Sequence, residues 1–118
     1  MSLPNRRQQP RAPLELKVRV DGPKGRQVLT ARDLSEGGTF VETLKAYDVG
    51  QMLECRLELP QREGAPVRVE VTAEVRHHAN GYRTEDGGGP YRGMGLQFTR
   101  LDMEARDTLK RFLTERSG

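Results

Sequence analysis

Asp33-Leu34-Ser35-Glu36-Gly37-Gly38 sets a carboxylate, a hydroxyl and two positions without side chains close together along the chain. The Asp-x-Ser-x-x-Gly pattern within it has a chance expectation of roughly one in fifty at this composition, so the signal is specific. If Asp33 and Ser35 lie on a strand, their side chains share one face about 7 Å apart. A carboxylate accepts two hydrogen bonds side by side, matching the paired N–H donors on the Watson–Crick edge of guanine. Ser35 adds a short hydroxyl beside it. Gly37 and Gly38 let a flat ligand approach the backbone and permit positive φ. The same composition suits a tight turn in which Asp and Ser bond their own backbone, and both readings stay open.

A second pattern lies upstream. Arg6-Arg7-Gln8-Gln9-Pro10-Arg11 contains an Arg-x-x-x-Arg pair at Arg7 and Arg11. Sixteen of the 118 residues are Arg, so roughly two such pairs arise by chance and this signal is weaker. Pro10 disfavours a helix, which puts the pair on an extended or turned segment. A guanidinium grips phosphate at two points and stacks on a base, which Lys cannot do. The bland alternative is a solvated basic arm.

Twenty basic against seventeen acidic residues leave a net charge of +3. That balance does not announce a nucleic-acid polymer as partner, since such proteins carry a dense basic patch. The length fits one domain. Apolar residues are 34 % and Trp is absent, so the core is thin and a compact barrel or sandwich is expected. The single cysteine, Cys55, excludes an internal disulfide and fits a reducing compartment. No apolar run reaches the roughly eighteen residues of a membrane span. No apolar stretch follows Arg6 and Arg7, so no signal peptide is expected. The expected location is the cytoplasm.

These residues need a scaffold. Residues 1–13 are polar, hold Pro4, Pro10 and Pro13, and lack apolar anchors, so a mobile arm is expected ahead of one domain over 14–118. Leu14, Leu16, Val18 and Val20 alternate with charged residues, which predicts a half-buried strand. Asp21 to Gly25 is a turn cluster, and Val28–Leu34 and Thr39–Thr43 read as short strands. Leu53, Cys55, Leu57 and Leu59 alternate next. The longest strand follows, with Val67, Val69, Val71, Ala73 and Val75 inward. Asn80 to Pro90 reads as a flexible hairpin loop, and Met94, Leu96 and Phe98 form the last strand. The period then changes: Asp102 is a good N-cap, and Leu101, Ala105, Leu109, Phe112 and Leu113 share a helical stripe. Six or seven short strands and one C-terminal helix imply an antiparallel sheet closed on itself, with the helix as plug or lid.

Together, about twenty residues apart, the two motifs resemble the PilZ family. Gly93-Met94-Gly95-Leu96-Gln97-Phe98 and the helix after it resemble that family's closing strand and C-terminal helix, so the likeness covers nearly the whole chain. The resemblance implies an all-β fold with one C-terminal helix, a small six-stranded antiparallel barrel. It implies cyclic di-GMP as ligand, with no cofactor, no metal and no catalysis. Arg7 and Arg11 would grip phosphates and guanine, and Asp33, Ser35, Gly37 and Gly38 would cradle the guanine edge. In PilZ domains that resemble this one, an Arg at the position of Arg6 accompanies a stacked pair of ligand molecules. No further domain is expected upstream of Arg6, so the signal is expected to pass to a protein partner through the barrel's own surface.

Two rivals remain: a PilZ-fold adaptor that binds protein and no nucleotide, and an oligonucleotide-binding barrel. The second expects aromatics for stacking, and no two aromatics alternate on one strand here. Adjacent His77 and His78 on a strand point to opposite faces and cannot chelate one metal together. Cys55 reads as a core residue, not a nucleophile.

Overall fold

In a computed structural model, residues 15–82 and 89–117 are described. Arg6, Arg7 and Arg11, and with them the expected arm, lie outside the described residues. Among the described residues there are six strands: β1 (Leu16–Gly22), β2 (Gly25–Leu34), β3 (Gly38–Glu42), β4 (Met52–Leu59), β5 (Val67–Tyr82) and β6 (Pro90–Arg100). One helix follows, α1 (Met103–Ser117). The strands form a closed barrel in the order β1-β2-β3-β6-β5-β4, antiparallel throughout. Closure gives every strand two neighbours and leaves no edge.

The alternating apolar residues fill the interior in cross-strand layers. Val20 pairs with Cys55 and Cys55 with Val71; Val18 pairs with Leu57 and Leu57 with Val69. All six are buried, and each fully buried Val or Leu contributes about 1.5–3 kcal/mol relative to exposure. The Asp102 carboxylate accepts the Ala105 N–H at 2.7 Å, capping α1 as its sequence predicts. Leu109 and Phe112 join the core, and α1 packs on β5. No helix among the described residues is long and apolar enough to cross a membrane.

Three details differ from the sequence pattern. Val67, expected inward, is 36 % exposed because it starts its strand at the barrel rim. The expected loop from Asn80 is shorter: β5 runs on to Tyr82, which pairs with Pro90, so only residues 83–88 lie outside the described residues there. Tyr47, expected in a simple connection, is buried. Its hydroxyl lies 3.3 Å from the Lys24 N–H and from Gln27 Nε2, both donating to it, which ties the β1–β2 turn to the loop after β3.

Two β-bulges matter most. The β2–β3 register shifts between Ala31 and Asp33, and the β5–β6 register shifts between Val75 and His77. Ala31 and Val75 point into the core. Unbroken alternation would therefore send Asp33 and His77 inward as well. The extra residue in each strand, Arg32 and Arg76, reverses the phase and turns both side chains outward.

Candidate functional site

The bulged segments border one groove on the outer face of β2, β3, β6 and β5, about 900 Å³ in volume. Register places Asp33 opposite Phe40, Phe40 opposite Gly95, and Gly95 opposite His77. A carboxylate, an aromatic ring, a glycine and an imidazole thus form one row across four strands. All four line the groove, as do Ser35, Gly37 and Gly38.

Asp33 is held in place: its Oδ1 accepts the Phe40 N–H at 3.2 Å, and its backbone carbonyl accepts the Thr39 hydroxyl at 2.6 Å. Ser35 is not on a strand, since β2 ends at Leu34. It opens a tight turn instead. Its N–H donates to the Gly38 carbonyl at 2.9 Å, and its hydroxyl accepts the Gly37 N–H at 3.2 Å. The turn reading of Ser35 therefore holds, and its hydroxyl shapes the loop beside Asp33.

The glycines serve different ends, and neither has positive φ. A Cβ on Gly38 would collide with the Leu96 carbonyl oxygen across the β3–β6 pair, so that position must be bare for the strands to approach. A Cβ on Gly37 would meet nothing within 4 Å. Its N–H and carbonyl are taken by the Ser35 hydroxyl and the Phe98 N–H, so what is open there is the space beside its Cα.

Sequence reading missed the aromatic surface. Phe40 and His77 stack with ring centroids 6.4 Å apart and planes 24° from parallel, and Tyr91 stands edge-on to Phe40 at 6.0 Å and 87°. Each ring comes from a different strand, so no local alternation signals them. Gly95 is the available clue, since a Cβ there would collide with the imidazole; one at Gly93 would meet the Val41 carbonyl oxygen first and the Phe40 ring second. His78 turns away from this surface, with Nε2 donating to the Tyr47 carbonyl at 2.7 Å.

Charges in the described lining are mixed. Arg32 Nε lies 3.0 Å from Glu42 and its Nη1 3.4 Å from Glu15. Arg76 donates to the Gln97 side chain and sits 3.9 Å from Glu74. No cluster of His, Cys, Asp and Glu fit for a metal ion occurs among the described residues. Cys55 lies in the barrel interior, where burial first and the charges of Glu54 and Asp21 second push its thiol up to about 12.

The PilZ domain family profile matches residues 5–115. Curated proteins give no match. Among solved structures, the fold is similar to the Bacillus subtilis inhibitor of motility MotI/DgrA (TM-score 0.79, 23 % identity, 96 % of this chain and 51 % of that one). It is also similar to the PilZ domain of YcgR from Escherichia coli, solved with c-di-GMP (TM-score 0.71, 16 % identity, 96 % and 94 %). The K. pneumonia MrkH–c-di-GMP complex is a third (TM-score 0.68, 18 % identity, 96 % and 53 %). The chain spans about half the length of the MotI/DgrA and MrkH chains.

Proposed function

This chain belongs to the PilZ domain family, and we propose that it is a cyclic di-GMP-binding effector domain that passes the signal to a protein partner. The observation that carries the reading is Asp33, turned outward by a bulge into a groove beside the open space at the Gly37 Cα. Its carboxylate reads the paired N–H donors of one guanine. The PilZ domain of YcgR and MrkH were each solved with c-di-GMP, which supports the same ligand class here.

The ligand carries two phosphates, and the described lining does not answer them. It offers Arg32 and Arg76 against Glu15, Asp33 and Glu42, and two of those carboxylates already engage Arg32. Arg7 and Arg11, with Arg6 beside them, supply the missing cations by folding over the groove. Bidentate guanidinium contacts suit both phosphate and the guanine O6/N7 edge. The arm orders on the ligand, and the surface it then presents is what the partner reads. The role is binding, not catalysis, and its place is the cytoplasm.

Calorimetric titration tests the reading. Cyclic di-GMP is expected to bind in the micromolar range or tighter, at least about 8 kcal/mol. The absence of heat at about 100 μM ligand, above that range, would overturn it.

A further inference from the structure

We propose that the open edge of β5 beyond the barrel, at His78, Asn80 and Tyr82, pairs with the same edge of a second copy of this chain. The inference does not rest on the ligand reading.

Closure leaves the barrel itself without an edge, but the β5–β6 hairpin runs past it. β4 starts at Met52, opposite Glu74, and the loop before it takes the next position on β5. There the Gly50 N–H donates to the Val75 carbonyl and the Val75 N–H to the Gln51 carbonyl. From Arg76 on, β6 is the only strand beside β5 among the described residues. The ladder shows which backbone groups are left over. The Phe98 N–H donates to the Gly37 carbonyl and the Arg92 carbonyl accepts the Thr43 N–H, so the even-numbered residues of β6 turn their backbone groups away from β5. In an antiparallel ladder the residues opposite them turn away too. Those residues are His78, Asn80 and Tyr82, paired with Met94, Arg92 and Pro90. Their N–H and C=O groups point to the open side of β5, where no described residue bonds them.

The opposite edge of the hairpin is closed to strand pairing. Pro90 has no N–H, and the Arg92 carbonyl is already taken by Thr43. On β5, by contrast, His77 to Tyr82 carries no Pro, no Lys and no carboxylate, so the residues that usually blunt an exposed edge are missing. A second copy fits this edge. Antiparallel pairing about a two-fold axis at Asn80 sets Asn80 opposite Asn80, and His78 opposite Tyr82 on either side. The residue on the axis meets itself, and an amide, donor and acceptor at once, bonds its own kind where a charge would repel. The two flanking pairs are aromatic, a favourable cross-strand match. All three side chains are exposed, Tyr82 by 76 %. His77 and Ala79 alternate with them and line the groove, so in the pair both grooves open on one face of a joined sheet. Five residues of edge span only about 17 Å, so the association is weak.

Sedimentation equilibrium of the full chain, without nucleotide, tests this. The mass is expected to rise from one chain toward two between about 10 μM and about 1 mM, the range of a weak interface. Asn80→Pro removes the central N–H without touching a β5–β6 bond, and should stay monomeric and melt near wild type. Asn80→Asp and Asn80→Lys each set like charges on the axis and should associate at least about tenfold more weakly alone, yet pair again when mixed in equal amounts. A wild-type chain still monomeric at about 1 mM overturns the proposal. So does a dimer that Asn80→Pro leaves intact, or a charge-swapped mixture that stays apart. The cyclic di-GMP reading survives any of these results, because no ligand enters the measurement.

Discussion

Asp33 and His77 stand at opposite ends of one cross-strand row, with Phe40 and Gly95 between them, and each is turned outward by a bulge one residue earlier in its strand. That relationship puts a carboxylate at one end of the groove and an imidazole at the other. Substitutions at the two ends are therefore expected to differ in kind.

Asp33→Ala should weaken cyclic di-GMP binding and narrow its preference over cyclic di-AMP, because the carboxylate is the group proposed to read the guanine edge. The variant should also lose about 1 kcal/mol of stability with the Phe40 N–H bond. Calorimetry with both dinucleotides and a urea melt check the two parts. Equal wild-type affinity for both dinucleotides would remove the role assigned to Asp33.

Arg7→Ala and Arg11→Ala should each cost roughly 1.5–3 kcal/mol of binding, the scale of a charge-assisted hydrogen bond. Arg116→Ala is the matched charge control: Arg116 lies over the Phe112 ring in the last turn of α1, away from the groove. Its affinity should equal wild type. Equal losses in all three would indicate non-specific charge.

Hydrogen exchange should show the amides of residues 5–12 protected on saturation with cyclic di-GMP and unprotected without it. Ordering about ten residues costs on the order of 10 kcal/mol as an upper estimate, so binding should be enthalpic with unfavourable entropy. It should also weaken with added salt. Protection already present in the free protein would rule the arm out as the switch.

Gly37→Ala and Gly38→Ala should separate cleanly in thermal melts. Gly38→Ala drives a Cβ into the Leu96 carbonyl and should cost about 2 kcal/mol or more. Gly37→Ala meets open space and should melt near wild type. Any loss of ligand affinity in Gly37→Ala then reports on the site itself.

Cys55 makes stability fall at alkaline pH. Its thiol is raised from 9.0 to about 12 in the fold, so the unfolded chain releases that proton first as pH rises. Its contribution is fully present below about 9 and is lost progressively as pH climbs toward about 12. Urea melts at several pH values should show a shallower alkaline decline for Cys55→Val than for wild type. The native thiol should also resist alkylation at pH 8, since the thiolate is the nucleophile.

Much of the scaffold is legible in local pattern. Period-2 alternation in Leu16–Val20, Leu53–Leu59 and Val69–Val75 names the inward residues, because a strand's side-chain period does not depend on its neighbours. The change of period after Asp102 marks α1 for the same reason, and the Asp33 and Ser35 motif falls on the lining of the groove. Which way those residues face is not local. Period 2 counted from Ala31 or Val75 puts Asp33 and His77 inside, and only the pairing of β2 with β3 and of β5 with β6 introduces the extra residue that reverses them. The aromatic surface was equally out of reach, since Phe40, His77 and Tyr91 come from three strands whose adjacency exists only once the barrel closes. Ser35 and Gly38 show the same limit: motif spacing names them, but the turn's own hydrogen bonds and the Leu96 carbonyl decide what each one does. Composition and spacing are properties of a chain; register and close approach are properties of pairs of strands, and this site is built from the latter.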